Sequence, residues 1–450
     1  MTSTLSSSVA TDAAAAEEKG RTSVSPRPTS RKDDSEKRQQ LLLVRSHCVI
    51  NMAVSILNFS TRGELLLELL QGDTEKLAAY LGYYTSATAA IEFLINPTIG
   101  RLSDTIGRKP FLMLSPYAAL VLKSWVLVKP SILSLTVERI VCDGLRTLCG
   151  STMGQTAITD IVEPSEVAKE FSSLYAYMGA AIVASPLIAS RMSSRATYVA
   201  AIALAGIQLY TDHFYLKETL APEDRKKTFE GFASPLDVFR LFTSGRALAT
   251  ISSVMALQFM VDPKIMVDPW FTLQVGSLGW TRRQSQLFTA FIGVGLMLGR
   301  KVTGLTMDAK SGLGESGHTS LTNYVTMFSN LLLGFVPSSV SQIAVGLLTI
   351  VGSQRMNGMK QMASRVSSDA ALTPSPFGKG EFSGLLANLR ALLVAFAPLL
   401  YARAYRAGRR FGSVGGTFFS AALAVAASEW IHRHFVKTRL GWPRRRGACA

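Results

Sequence analysis

Charge is scarce in this chain. Of its 450 residues, 17% are Asp, Glu, Lys or Arg, where a soluble protein of this length usually carries about a quarter. Cysteine is nearly absent. Cys48, Cys142, Cys149 and Cys449 show neither paired nor metal-type spacing, which excludes a disulfide framework and a zinc site. Cys142 and Cys149 share one helical face and read as small packing residues. No Walker-type glycine loop is present. No convergent set of nucleophiles or metal ligands is visible, so the chain is not read as an enzyme and no cofactor or metal is assigned. Acid is the scarcer sign, with 31 Asp and Glu against 47 Lys and Arg, a net charge of +16. Much of that excess is local: residues 401–450 hold ten Lys or Arg and one acid, Glu429. Basic clusters beside apolar spans normally face the anionic cytoplasmic leaflet. The charge therefore needs a lipid bilayer as partner and no nucleic acid.

What is present is apolar sequence in blocks. Residues 78–99, 111–128, 171–190, 196–210, 245–261, 285–299, 319–336, 339–354, 383–402 and 413–431 are each apolar for most of their length. Adding the more interrupted 41–59 and 131–157 gives twelve segments. A helix crossing hydrocarbon needs roughly 20 such residues, fewer inside a bundle. The fold class is an all-α membrane protein with twelve transmembrane helices in two six-helix bundles. Residues 1–40, with thirteen Ser or Thr and no apolar run, read as a disordered cytoplasmic tail. They lack the apolar stretch of a signal peptide. The first bundle covers 41–216, a charged central loop 217–244, the second bundle 245–433 and a basic tail 434–450. Segment 60–77 reads as a loop with a short amphipathic helix at the membrane surface, because Leu65, Leu66, Leu69 and Leu70 recur at helical spacing among acids. Segment 356–381 reads as a polar loop broken by Pro374 and Pro376. With twelve crossings and the amino terminus inside, 30 Lys or Arg fall on the cytoplasmic side and 12 opposite, so both termini are placed in the cytoplasm. Arg403, Arg406, Arg409 and Arg410 dissent from that assignment.

Between the second and third spans lies Gly100-Arg101-Leu-Ser-Asp104-Thr-Ile-Gly107-Arg108-Lys109. Gly100 and Gly107 allow a tight turn, and Asp104 can pair with Arg108 or bind a helix terminus. This run resembles the signature loop of the major facilitator superfamily at every position of Gly-x-Leu-x-Asp-x-x-Gly-Arg-Lys. The resemblance implies a conformational switch that latches one half against the other in the outward-open state. A worn copy, Gly304-Leu-Thr-Met-Asp308-Ala-Lys-Ser-Gly312, follows 204 residues later, the spacing that duplicated halves leave.

Further runs narrow the likeness to tetracycline-resistance-type drug:proton antiporters and their eukaryotic relatives. Leu278-Gly-Trp280-Thr-Arg-Arg-Gln284 resembles the start of their eighth span. Leu135-x-x-x-Arg139 resembles the motif with an intramembrane arginine, although Gly144 stands five residues on instead of four. Asp160 falls where the family has an acid. Gly179…Ser185-Pro186 is similar to a helix 5 packing motif, with Ser and Ala for glycines. Glu218-Thr-Leu-x-Pro222-Glu223 resembles a run common after the sixth span.

Arg139, Asp143 and Arg146, with Glu138 nearby, form either a proton-linked site or a local ion-pair cluster, since a charge at membrane depth needs partners. Glu92, five residues before Pro97, is either a proton relay or paired with Lys123. Asn51, Asn58 and Gln258 either line a pore or, the more common role, pack as polar residues between helices, and His432 and His434 are placed at the interface. The resemblance implies a monomeric secondary transporter, an antiporter by class, that moves a small-molecule substrate by alternating access in the plasma membrane or an endomembrane such as the vacuole. Concentrating a solute 100-fold costs about 2.8 kcal/mol, and one proton crossing 100 mV supplies about 2.3 kcal/mol. One or two protons suffice. The alternative is a transporter-fold receptor or scaffold.

Overall fold

The structure, a computed structural model, describes residues 31–163, 166–223, 225–228, 231, 234–307, 313–369, 372–373, 377 and 379–437. The chain divides into Met1–Leu42 and Leu43–Ala450, and the helix bundle belongs to the second. Among the described residues there are helices and no strand. The first half contains α1 (Arg31–Leu57), α2 (Phe59–Leu69), α3 (Thr74–Ile106), α4 (Lys109–Val128), α5 (Ile132–Leu145), a π-helical stretch Arg146–Thr152, α6 (Met153–Ile161), α7 (Val167–Ala189) and α8 (Ser194–Phe214). A 3-10 turn Pro235–Phe239 and the short α9 (Arg240–Thr243) lead to the second half. There follow α10 (Arg246–Phe259), α11 (Pro263–Gly276), α12 (Arg282–Met307), α13 (Gly314–Phe335), α14 (Ser339–Gly352), α15 (Met356–Ser368), α16 (Lys379–Arg410), α17 (Gly416–Ile431) and a closing π-helical stretch His432–Lys437. Read as spans, α1–α2, α5–α6, α10–α11 and α14–α15 are single crossings with a break, which gives six spans on each side of the central segment.

Several boundaries differ from the expectations. Helix α1 reaches back to Arg31, so residues 31–40 are helical, while 1–30 lie outside the described residues. The expected loop 60–77 is corrected: Phe59–Leu69 continues span 1, and Leu66, Leu70, Leu77 and Leu81 pack in one core with Tyr84, Leu135 and Tyr198. Only Leu70–Asp73 turns the chain. Asp73 caps α3, accepting from the backbone N–H of Glu75 and Lys76, each at 3.0 Å. Those donors and the Lys76 ammonium hold its carboxyl below the usual carboxylate range. The expected loop 356–381 is corrected likewise. Met356–Ser368 is helical because Met359, Met362, Ala363 and Val366 recur on one buried face. Pro374 and Pro376 lie outside the described residues, as do 438–450.

Among the described residues five helical stretches are long and apolar enough to cross a membrane, in α1 with α2, α4, α7, α12 and α16. The others are cut short at breaks or carry charge turned inward. Large apolar side chains point outward instead: Tyr117, Val121 and Val128 on α4, Ile207 and Phe214 on α8, Leu423 and Trp430 on α17. Such a continuous apolar exterior belongs in lipid. Close approach between the last two spans depends on small residues. A Cβ at Gly416 would collide with the backbone carbonyl of Ala404 and lie 3.4 Å from Gly408 Cα. Gly416→Val is expected to cost about 1–3 kcal/mol, read as a lower thermal midpoint of the detergent-purified chain with α16–α17 packing lost.

Candidate functional site

The first half buries an ion network built from three helices and the π-helical stretch that follows α5. Arg62, on α2, donates to Glu138 Oε2 at 3.0 Å and lies 3.6 Å from Asp143. Lys123, on α4, donates to the other oxygen of Glu138 at 2.6 Å. Glu138 is 0% exposed, and its two oxygens are each taken by a cation, as a buried carboxylate requires. One turn on, Asp143 receives Arg139 Nε at 2.9 Å. Arg139 then reaches out of its own half. Its Nη2 lies 3.2 Å from both oxygens of Asp268 on α11, and Asp268 also accepts from Thr85 Oγ1 at 2.6 Å. Arg146 opens the π-helical stretch, 3.9 Å from Asp143. An extra residue in a helical turn rotates the side chains that follow, and such bulges recur at functional sites.

The second half answers with a broken span. Asp262-Pro263 ends the helical ladder: Pro263 supplies no N–H, and Asp262 accepts from Lys264 N at 2.8 Å. Arg390 grips the Asp262 carboxylate with two hydrogen bonds of 2.9 Å. Arg355 Nη2 donates to the carbonyls freed at the break, Gln258 O at 2.8 Å and Val261 O. Lys264, just past the break, donates to Glu92 Oε1 on α3 at 2.6 Å. Thus Glu92 pairs across the halves with Lys264. The expected partner Lys123 is a correction, since it belongs to Glu138.

Between these two arrangements lies a cavity of about 540 Å³, within the range of small-molecule sites. Its wall draws on nine spans; α4, α8 and α17 stay out of it. One side is basic, with Arg62, Arg139, Arg146, Lys264, Arg355 and Arg390. Another is aromatic, with Phe59, Trp270, Phe271 and Phe288. The Trp270 and Phe288 rings meet edge-to-face at 6.2 Å, and Arg139 lies over the Phe59 ring at 5.7 Å. The cavity is shut toward the α2–α3 turn. There Phe271 covers Gly63 and meets Phe59 at 6.1 Å. Arg282 donates to Ser194 Oγ at 2.7 Å and to Met192 O.

At the opposite end sits the Gly100–Lys109 run. Gly107 takes φ +113, and its Cα faces the Glu218 carboxylate. Glu218 accepts from the backbone N–H of Arg108 at 2.7 Å and Lys109 at 3.2 Å, capping α4. Arg108 bridges Asp104 at 2.7 Å and Asp160 at 3.1 Å. Lys226 N donates to Asp104 O at 3.0 Å, Lys109 Nζ to His213 O at 2.9 Å, and Arg101 Nη1 lies 3.5 Å from Gly231 O. All these partners belong to the first half or the segment after it. Gly100 lies inside α3 with open space around it, so the turn needs only Gly107. Gly304 is also in open space, and Asp308 and Gly312 fall outside the described residues. Gly179 lies under Met297, and with Gly293 under Ile182 it seats α7 against α12. Pro186 sits within α7.

Comparison with known proteins decides the family. The Major Facilitator Superfamily profile matches residues 49–398. The chain belongs to the major facilitator superfamily. Among curated proteins it is 25% identical over 348 residues to the class C tetracycline resistance protein of Escherichia coli, covering 76% of this chain and 84% of that one. It is 26% identical over 351 residues to the class G tetracycline resistance protein of Vibrio anguillarum, with the same shares. Among solved structures it superposes on a nucleoside transporter with a TM-score of 0.69 at 10% identity, covering 88% of this chain and 99% of that one. A human organic anion transporter gives 0.62 at 17% identity over 88% and 99%. This superfamily chain is therefore a multi-pass membrane transporter with the twelve-helix fold.

Other residues expected to matter fall elsewhere. Asn51 bonds Ser115 Oγ at 2.6 Å, Asn58 is fully buried, and Gln258 bonds Asn323 at 3.0 Å. All three pack between helices, while Met52, Ser55 and Ile56 on the neighbouring face of α1 line the cavity. His432 is a correction too: it is buried against Glu429 at 3.4 Å and Ser316 at 3.1 Å, while His434 is exposed. The sequence reading missed Arg62, Asp262, Lys264, Asp268, Arg355 and Arg390. Arg62 falls within 60–77, outside the expected spans, and Lys264, Arg355 and Arg390 match no motif. The Asp262-Pro263 dipeptide was the one available signal of a break.

Proposed function

We propose that this transporter is a secondary, proton-coupled antiporter of a small organic solute, working by alternating access around the 540 Å³ cavity. The observation that carries the proposal is the pair of carboxylate–cation contacts joining the halves at the cavity wall, Asp268 with Arg139 and Glu92 with Lys264. Each is a buried attraction between bodies that must separate. A proton on either carboxylate abolishes it and frees a cation, so proton binding and movement of the halves are linked. The tetracycline resistance relatives support an efflux-type role. On this reading the Asp104–Arg108–Asp160 cluster is the switch, parked within the first half while the α2–α3 end is shut. The arrangement is a monomer with both termini cytoplasmic, in the plasma membrane or an endomembrane.

The test is solute flux in proteoliposomes with and without an imposed pH gradient. Flux should follow the gradient. Glu92→Gln, which mimics the protonated carboxyl, should lower gradient-driven accumulation at least tenfold while leaving solute–solute exchange measurable. Equal accumulation in Glu92→Gln and the parent sinks the coupling role of Glu92. A panel of solutes that bind but never cross points to a receptor or scaffold.

A further inference from the structure

We propose that the solute is an organic anion with an aromatic body and that Arg146 meets its charge; this rests on the transport reading above. In and directly behind the cavity wall stand seven cations, the six lining ones and Lys123, against five carboxylates, Glu92, Glu138, Asp143, Asp262 and Asp268. The excess of two is not spread evenly. Arg62 and Lys123 are held by Glu138, Arg139 by Asp143 and Asp268, Lys264 by Glu92, and Arg390 by Asp262. Arg355 spends its Nη2 on two backbone carbonyls at the helix break.

Arg146 is left. Its nearest carboxylate oxygen, on Asp143, stands at 3.9 Å, and that carboxylate is already held by Arg139 at 2.9 Å. Arg146 Nε is buried with no hydrogen-bond partner, and so is Arg355 Nε. A guanidinium with donors unspent, at membrane depth and facing a cavity, is costly until an anion arrives. A planar fork suits a carboxylate, sulfonate or phosphate, which can take two parallel hydrogen bonds. The π-helical turn beginning at Arg146 places it there. The wall of Phe59, Trp270, Phe271 and Phe288 supplies ring faces and edges for an aromatic body, and Trp270 Nε1 is a further donor without a partner. A cationic solute would meet that excess of positive charge, with Arg146 unneutralised, in the same space.

Three probes matched in size test this on the full-length purified chain: naphthalene-2-sulfonate, 2-naphthylmethanol and 2-naphthylmethylammonium. Thermal midpoints are followed as each is titrated. The sulfonate should stabilise the chain saturably and the other two should not. Arg146→Gln should weaken sulfonate binding about 10- to 100-fold, and Arg146→Lys, which keeps the charge and loses the fork, should weaken it less. The ligand-free midpoint of each variant separates lost binding from lost folding. Were Arg146→Gln not to fold, the Arg146→Lys drop would carry the test. Equal or tighter binding of the alcohol or the ammonium, no sulfonate binding, or an Arg146→Gln chain that binds as the parent does, each overturns the inference. Flux of the bound probe in proteoliposomes judges the transport reading separately. An ammonium that binds and crosses sinks only the anion assignment; a sulfonate that binds through Arg146 and never crosses sinks only transport.

Discussion

Glu138→Ala should leave little folded protein. The substitution removes the one carboxylate that Arg62 and Lys123 share, and these three side chains are 0%, 4% and 2% exposed. Breaking a buried pair by deleting one partner costs about 3–5 kcal/mol, because the other charge stays buried and uncompensated. Here two cations are stranded, and only Asp143, 3.6 Å from Arg62 and already shared with Arg139, remains within reach. The expected result is loss of the monodisperse peak in detergent, or a thermal midpoint lowered by many degrees. The double variant Glu138→Gln with Lys123→Met removes one charge of each sign and should recover most of the loss. If the single and double variants are equally unstable, packing around α5 and not charge balance explains the defect.

Asp268→Asn should leave the fold intact and stop transport. Asp268 is the second-half end of the Arg139 contact and also takes Thr85 Oγ1. Losing it leaves Arg139 paired only within its own half. A change of about 3–5 kcal/mol shifts a two-state equilibrium about 10²- to 10⁴-fold, away from the arrangement in which the α2–α3 end is shut. Spin labels at the exposed Lys76 and Ser277 lie on opposite halves near that end. Their distance distribution should move to longer values in Asp268→Asn, and flux should fall by at least two orders of magnitude. An unchanged distribution with normal flux would remove Asp268 from the switching machinery.

The span pattern was legible because lipid imposes a strong, local demand: each crossing must be long and apolar. The Gly100–Lys109 run was legible for a similar reason. Gly107 and the Glu218 cap are turn chemistry, decided within a few side chains. The failures share a different cause. Phe59–Leu69 read as a surface helix outside the spans, and Met356–Ser368 as a loop, because Arg62, Glu64, Lys360 and Arg365 break their hydropathy. Both keep part of their polar surface on partners from other spans, Arg62 with Glu138 and Glu64 with Arg282 in the first, Arg365 with Glu315 in the second. Glu92 was paired with the wrong lysine because sequence offers no way to rank Lys123 against Lys264.

By itself, then, the amino-acid sequence determined that this chain lies in a bilayer, how many times it crosses, and where the Gly100–Lys109 run turns, because these depend on composition and short-range backbone geometry. Which carboxylate holds which cation, where spans 7 and 10 open, and that Arg146 is left over beside an aromatic wall were decided only when two halves, far apart along the chain, came together. Buried charge is balanced by whatever stands within about 4 Å in space, and that distance has no counterpart in residue number.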